Sequence, residues 1–290
     1  MQTFELILSP WAFGVLGLVI GSFLNVVIHR MPALLERDWV ADAAHYLQDG
    51  DAMRRVLACA PARADELARF GKGLSAEVEV RPRLGLARPR SRCPSCGHVL
   101  AWHENIPLLG WLRLRGKCSA CGSAISLRYP IVEALTGVLF AAAAWHAGAT
   151  AATAVYCLAL ALLVAAAFID LDTTLLPNEL TLPLIGLGIV SAKLQWTPID
   201  VEAAALGAFF GYFSLWLVTY TFKLVRGVKG MAEGDFMLLA GMGALLGWKA
   251  LPSIILLSSA VGSAVGLYMI LARGHGRNVP IPFGPYLAGG

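Results

Sequence analysis

The sequence predicts an all-α polytopic membrane protein with about 7–8 transmembrane helices and one polar, cysteine-bearing insert. Of its 290 residues, 57% are hydrophobic and only 14% are charged, whereas soluble globular domains carry about 25% charged residues. The charge is also uneven, because 16 of the 23 Lys and Arg residues lie between Arg30 and Arg128, together with ten of the 19 Asp and Glu residues. This composition excludes a soluble globular domain and predicts a polar insert followed by a membrane bundle.

Seven apolar runs are close to the length of about 20 residues that a helix needs to cross a bilayer. The first has no basic region before it and no small-residue cleavage site after it, so we expect a retained helix and not a signal peptide. A further apolar stretch, "VPIPFGPYLAGG", is a candidate for the start of an eighth helix. The seven runs are 10–29, 131–148, 150–169, 179–196, 201–222, 236–251 and 252–271.

These runs divide the chain into three segments. Residues 1–29 are expected to form the first transmembrane helix, 30–129 a cytoplasmic insert, and 130–290 a transmembrane bundle. Basic residues near helix ends mark the cytoplasmic side, and they flank the insert on both sides. Counting the crossings from there puts the later basic clusters on that same side. The count also places Asp170 and Asp235 at one cytoplasmic membrane edge, although they are 65 residues apart in sequence.

The insert carries two C-x2-C motifs, "CPSC" and "CSAC", whose cysteines are Cys93, Cys96, Cys118 and Cys121. Two such motifs separated by 21 residues can fold together and offer four thiolates to one tetrahedral Zn²⁺. The alternatives are another metal, such as an iron–sulfur cluster, or two disulfides, which a reducing cytoplasm disfavours. Four cysteines leave no open coordination position, so the sequence predicts a structural zinc site of the double-CxxC type and not a catalytic one.

Carboxylates stand at two edges of the apolar runs. Asp170 follows one run directly, Asp172 comes two residues later, and Asp235 precedes another run. An aspartate at such an edge can be a solvated helix cap, but an ionisable residue at membrane depth also suggests a functional site. Two facing carboxylates share one proton, so that one can activate water while the other polarises a carbonyl. Gly234, next to Asp235, would let a substrate backbone approach closely.

The chain resembles the prepilin peptidases, the type IV leader peptidases of bacteria, which are GxGD-type intramembrane aspartic proteases. The resemblance implies that Asp170 and Asp235 are catalytic and that Gly234, as part of the GxGD motif, supports them. Asp172 is close enough to Asp170 to tune the pair, but the family pattern favours Asp170 as the catalytic residue. The first glycine of the GxGD motif is Ala232 here, which predicts reduced backbone freedom but not lost activity. The stretches that carry the resemblance are "GSFLNVVIHRMP", "ENIPLLGWLRLRGKC", "RYPIVEALTG", "IDLDTTLLPNELTLP", "GMAEGDFMLLAGMGALLGW" and "IPFGPYLAGG".

The resemblance also implies what such a protein acts on. The family cleaves the leader from type IV prepilins and type II secretion pseudopilins at the cytoplasmic membrane edge. Members with the zinc-binding insert often N-methylate the new N-terminus with S-adenosylmethionine, an activity that rests here on the resemblance alone. The expected partners are therefore prepilins, pseudopilins and the lipid bilayer, with no nucleic acid. The expected location is the bacterial inner membrane, in multi-pass form.

Two other classes of function are compatible with parts of the sequence. A polytopic transporter could use Asp170 and Asp235, with Asp172, as a cation relay. Carrier sites, however, lie near the midplane between internal repeats, and the sequence contains no evident repeat while its aspartates are expected at one edge. A non-catalytic assembly factor could instead use the zinc module for docking, in which case both aspartates would be replaceable.

Overall fold

The computed structural model describes residues 9–82, 85–227, 231–273 and 282–290. Within those ranges nearly every element is a helix, and the only β-type pairing consists of two isolated bridges, Arg92 with Val99 and Lys117 with Ala124. The predicted all-α class is therefore confirmed. The chain clusters into a smaller compact unit, 29–91, and a larger one made of 1–28 and 92–290.

The smaller unit is helical throughout most of its length. It contains the later part of α1 (Pro10–Gln48), then α2 (Gly50–Leu57) and α3 (Pro61–Val80). Arg37 on α1 donates hydrogen bonds to the carbonyl oxygens of Val78 and Pro82, at 2.9 and 3.0 Å. The last carbonyls of a helix have no partner within the helix, so this guanidinium satisfies the end of α3 and holds it against α1.

The larger unit contains the start of α1 and the remaining helices, which are α4 (Leu109–Arg113), α5 (Arg128–Ala147), α6 (Ala151–Thr173), α7 (Asn178–Lys193), α8 (Val201–Arg226), α9 (Glu233–Leu246), α10 (Leu251–Arg273) and α11 (Gly284–Gly289). Among the described residues, five segments are long and apolar enough to cross a membrane: α1, α5, α6, α8 and Trp248–Ala272, which joins a 3-10 turn to most of α10. All seven predicted apolar runs fall on helices, but α7 and α9 have only 16 and 14 residues. The described part of the eighth candidate forms the six-residue α11.

Local signals explain where α8 begins and ends. The Asp200 carboxylate accepts a hydrogen bond from the Ala203 N–H at 2.6 Å, which caps the first turn. At the other end Gly227 adopts the left-handed conformation, with φ of +74°, and its N–H donates to the Lys223 carbonyl at 2.8 Å. Because glycine has no Cβ, it adopts this conformation without strain and stops the helix.

Helix α9 forms the centre of the bundle and packs mainly against α8 and α7. All of its residues from Asp235 to Leu245 are buried except Met237, which is partly exposed. Gly207 on α8 faces Gly243 on α9 so closely that a Cβ on either residue would overlap the backbone carbonyl of the other. Small residues allow membrane helices to approach in this way, which maximises their van der Waals contact.

We expect Gly207→Ala to destabilise the bundle by about 1–3 kcal/mol, because the added methyl group forces α8 and α9 apart in a packed interior. The measurement is thermal unfolding of the protein in detergent. Gly186→Ala is the matched control, since a Cβ on Gly186 meets no atom within 4 Å. Equal unfolding temperatures for the two variants would contradict the importance of this close approach.

Candidate active site

Asp170 lies in the last turn of α6 and is only 4% exposed. The helix ends just after it, where Thr174 adopts a left-handed conformation with φ of +53° and donates its N–H to the Asp170 carbonyl at 2.8 Å. The Asp170 side chain accepts a hydrogen bond from the backbone N–H of Gly284, with 2.9 Å between N and Oδ2. The carboxylate is therefore directed away from solvent and has a fixed partner.

Asp235 lies in the first turn of α9 and is 5% exposed. A carboxylate in the first turn of a helix is stabilised by the unpaired N–H groups and the helix dipole. Asp235 lies beside the same loop residue as Asp170, because Leu176 packs against both Gly234, the neighbour of Asp235, and Gly284, which donates to Asp170. The structure thus places the two predicted aspartates near one another, although their helices are far apart along the chain.

Gly234 lies against the loop that follows α6. A Cβ on Gly234 would be 2.5 Å from the Leu176 Cβ and 3.1 Å from the Leu176 carbonyl oxygen. Such contacts are shorter than packed atoms tolerate, so the missing side chain lets the start of α9 approach this loop. The sequence predicts that a substrate backbone approaches Gly234. In the structure Leu176 lies beside Gly234, and the approach of a substrate stays a prediction.

Asp172 has a different environment from Asp170. It is ion-paired with the guanidinium of Arg128, at the start of α5, and its side chain is 39% exposed. Arg128 also donates to the Phe168 carbonyl at 3.3 Å and lies over the Phe168 ring, 5.4 Å from its centroid. Asp172 therefore ties the end of α6 to the start of α5, which is the contact through which it can support the site.

The four predicted metal-binding cysteines come together. Their sulfur atoms all lie within 4.8 Å of one another, with 3.9 Å between Cys93 and Cys121 and 4.0 Å between Cys96 and Cys118. Four thiolates at about 2.3 Å from a tetrahedral Zn²⁺ are separated by about 3.8 Å, so the donor set fits the ion. A disulfide would need about 2.05 Å between sulfurs, and all six cysteines, which lie within the described residues, are free thiols.

The two C-x2-C motifs form knuckles of the same design. In the first, Gly97 donates its N–H to the Cys93 carbonyl at 2.9 Å, and in the second Gly122 donates to Cys118 at 2.9 Å. Both glycines have left-handed φ angles, +74° and +71°, which explains why glycine follows each cysteine pair. The Ser123 hydroxyl lowers the pKa of both Cys93 and Cys121, whereas the neighbouring thiols raise the pKa of Cys96. The thiols therefore titrate as one interacting set, as expected for groups packed closely enough to share a metal.

Beside the knuckles, Glu104 is held by several hydrogen bonds. The Ser119 hydroxyl and then the Ala101 N–H, which donates at 2.7 Å, lower the pKa of Glu104 from 4.5 to about 2. The His98 ring is 3.2 Å from the same carboxylate oxygen. Both Ser119 and Glu104 contact the same ring nitrogen of His98, so these three residues do not form a serine–histidine–acid relay, which uses both ring nitrogens.

We expect Glu104 to stabilise the cysteine segment, residues 92–127, above about pH 4.5 and to lose that effect as the pH falls towards 2. The pKa of Glu104 is lower in the folded protein than in the unfolded chain. Between the two pKa values the unfolded chain binds a proton that the folded protein does not, so acidification favours unfolding. The measurement compares the unfolding of wild type and Glu104→Gln across this pH range. The difference between them should be constant above pH 5 and shrink below it, whereas a difference that grows on acidification would contradict the assignment.

Sequence reasoning did not predict the contacts of two residues of this region. Glu133, buried on α5, accepts the N–H of Leu108 at 2.8 Å and so fixes a loop residue with a left-handed φ of +57°. Gly284 contacts Asp170, as described above. The contact of Gly284 uses a backbone N–H, which the residue type does not reveal. The sequence indicated this residue only through the stretch "IPFGPYLAGG", which is part of the family resemblance.

A buried aspartate pair within a bundle of membrane-crossing helices is the arrangement expected of a membrane-embedded aspartic peptidase. The model of the bacterial peptidase A24 N-terminal domain matches residues 15–147, and that of the type IV leader peptidase family matches 157–267. The chain therefore belongs to the type IV leader peptidase family, and the predicted resemblance is confirmed. Membership of a peptidase family also removes the reason for preferring a transporter.

Curated relatives cover most of this chain. A protein of Aeromonas hydrophila is 44% identical over 96% of this chain and 89% of its own length. A protein of Pseudomonas aeruginosa is 43% identical over 94% of this chain and 85% of its own length. One of Neisseria gonorrhoeae is 40% identical over 97% of this chain and 89% of its own length. All three are named prepilin leader peptidase/N-methyltransferase. No solved structure gives a match.

Proposed function

We propose that this chain is an aspartic endopeptidase that removes the leader from prepilins and then N-methylates the new N-terminal residue. The names of its relatives, which align with nearly the whole chain, support both activities. By resemblance, the substrates include the pseudopilins of type II secretion. The observation that supports the peptidase assignment is the burial of two carboxylates, Asp170 and Asp235, on helices that both contact α11.

The proposed cleavage step uses the two aspartates as one unit. Two close carboxylates in a buried site share one proton, because both cannot readily be ionised. The ionised member takes a proton from water, and the oxygen of that water forms a bond to the scissile carbonyl carbon. The protonated member donates to the carbonyl oxygen as negative charge develops there. When the C–N bond breaks, a proton passes to the leaving amine, so that one water molecule has been added across the peptide bond.

The position of the pair suits a substrate that is partly in the membrane. Asp170 is near the end of α6 and Asp235 is in the first turn of α9, so both stand where an apolar helix meets the loop beside it. The basic residues at neighbouring helix ends favour the cytoplasmic side for these loops. We therefore propose that the leader is cut at the cytoplasmic edge of the bacterial inner membrane, with the cysteine segment on the same side.

The cysteine site has a structural role in this proposal. Cys93, Cys96, Cys118 and Cys121 would hold Zn²⁺ through four thiolates, which join the two knuckles and leave no coordination position for water or substrate. For the methyl transfer, S-adenosylmethionine would supply the methyl group. We propose no catalytic role for the zinc in either reaction.

The test is a purified assay with a synthetic prepilin N-terminal peptide, containing its leader and the start of its apolar helix. We expect mass spectrometry to detect loss of the leader, followed by a further gain of about 14 Da when S-adenosylmethionine is present. A peptide with the glycine before the scissile bond replaced serves as the substrate control. An uncut peptide with folded, metal-loaded wild type would overturn the peptidase assignment, and cleavage without the mass gain would overturn only the methyl transfer.

A further inference from the structure

The segment 282–290 reaches the aspartate pair through its backbone. The N–H of Gly284 donates to Oδ2 of Asp170 at 2.9 Å, and this hydrogen bond is buried although the two residues are 114 positions apart. A buried carboxylate needs hydrogen-bond donors to replace lost water. Here the donor belongs to the main chain, so its position depends on how the segment packs.

The close approach requires glycine at position 284. A Cβ on Gly284 would lie 2.9 Å from the same Oδ2 of Asp170 and 3.1 Å from Cδ1 of Leu176. The first contact involves the carboxylate itself, on a short side chain in the last turn of α6, which has little freedom to move aside. Any larger residue must therefore displace either the carboxylate or the segment.

Packing fixes the residues that follow the hydrogen bond. Leu287, three residues later, is fully buried. A Cβ on Gly262 of α10 would lie 3.2 Å from the Tyr286 ring, and one on Gly290 would lie 3.0 Å from the Ile254 carbonyl. Helix α11 also contacts α6 and α9, the helices that carry the two aspartates. The N–H of Gly284 is thus held in place by a packed element.

We infer that Gly284 is a positioning residue for the aspartate pair. Its N–H fixes Oδ2 of Asp170 and sets the plane of that carboxyl group, which leaves Oδ1 as the oxygen that exchanges a proton with water and with Asp235. This inference rests on the proposed function, in which Asp170 is one of the two proton-exchanging groups. It predicts that disturbing Gly284 impairs the chemical step more than substrate binding.

The experiment measures leader cleavage by the full chain carrying Gly284→Ala. We expect kcat to fall about 10- to 100-fold, the loss that displacement of a reacting group by about 1 Å can cause, while KM changes less than about threefold. The pH profile of kcat should also change, because Asp170 meets a different environment. Gly289→Ala is the matched control in the same segment, since a Cβ there meets no atom within 4 Å, and it should behave like wild type.

A second variant separates the carboxylate contact from general packing. Leu176→Val removes the Cδ1 atom that a Cβ on residue 284 would meet, but it leaves the contact with Asp170. Recovery of kcat and of the wild-type pH profile in the double variant Gly284→Ala/Leu176→Val would overturn the inference. A persistent loss in the double variant, with Leu176→Val alone near wild type, supports it.

The results for wild type and the variants distinguish failure of the inference from failure of the proposed function. If wild type does not cleave the leader, the proposed function fails. If wild type cleaves the leader and Gly284→Ala matches Gly289→Ala in kcat and pH profile, only the inference fails. Should Gly284→Ala not fold in detergent, Leu287→Val takes its place, because it loosens the same segment without adding atoms near Asp170. A lower kcat with an altered pH profile then supports the inference, and an unchanged kcat and profile overturns it.

Discussion

Asp170→Asn and Asp235→Asn should each lower kcat/KM for leader cleavage by about 10³-fold or more. Asparagine has nearly the same shape as aspartate but cannot take up or release the shared proton, so general acid–base catalysis is lost while packing is retained. Both side chains are buried. The measurement is cleavage of the leader-bearing peptide by purified variants, with unfolding temperature and metal content as checks of folding.

The control for this prediction lies two residues away. Asp172 is partly exposed and paired with Arg128, and exposed ion pairs contribute little to stability. We expect Asp172→Asn to lower activity less than tenfold, and the double variant Asp170→Asn/Asp235→Asn to be little worse than either single one, because the two residues act as a unit. Loss of activity in Asp172→Asn equal to that in Asp170→Asn would mean that the wrong aspartate has been selected.

Cys93→Ser and Cys118→Ser should each reduce the zinc content from one ion per chain to nearly none and unfold the cysteine segment. Each variant removes one of four thiolates from a different knuckle, and the binding free energy of a structural zinc is also folding free energy, of about 10–16 kcal/mol in isolated fingers. The measurement is metal analysis by mass spectrometry together with limited proteolysis of residues 92–127.

Cys59→Ser provides the comparison for this prediction. Cys59 lies in the smaller unit and is a free thiol outside the four-cysteine cluster, so its variant should retain the metal. One metal ion per chain in both Cys93→Ser and Cys118→Ser would refute the four-thiolate site.

The features that could be predicted from the sequence are those with a strong local signal. The spacing of the cysteines predicted their cluster, because two knuckles of fixed geometry leave few ways to arrange four sulfurs. The aspartates were expected at one membrane edge from the count of membrane crossings, and the choice of Asp170 over Asp172 came from the family resemblance; both stay predictions. Neither argument needs side-chain packing.

The remaining features depend on packing or on the main chain. The hydrogen bond from Gly284 to Asp170 uses a backbone N–H. Every residue except proline has this donor, so the residue type does not predict the bond. The pairing of Asp172 with Arg128 depends on how α5 meets α6, and the neighbour of Gly234 on where the loop after α6 lies. Such contacts are set by tertiary geometry and could not be derived from the chain alone.

The shortness of α9 bears on how water reaches the reaction. At 1.5 Å per residue, its 14 residues rise about 21 Å, whereas the hydrocarbon layer of a bilayer is about 30 Å thick. The helix therefore falls about 9 Å short of the thickness of the layer. A shortfall at the first turn of α9 brings water to Asp235 at the cytoplasmic edge, so that hydrolysis there needs no dedicated water channel.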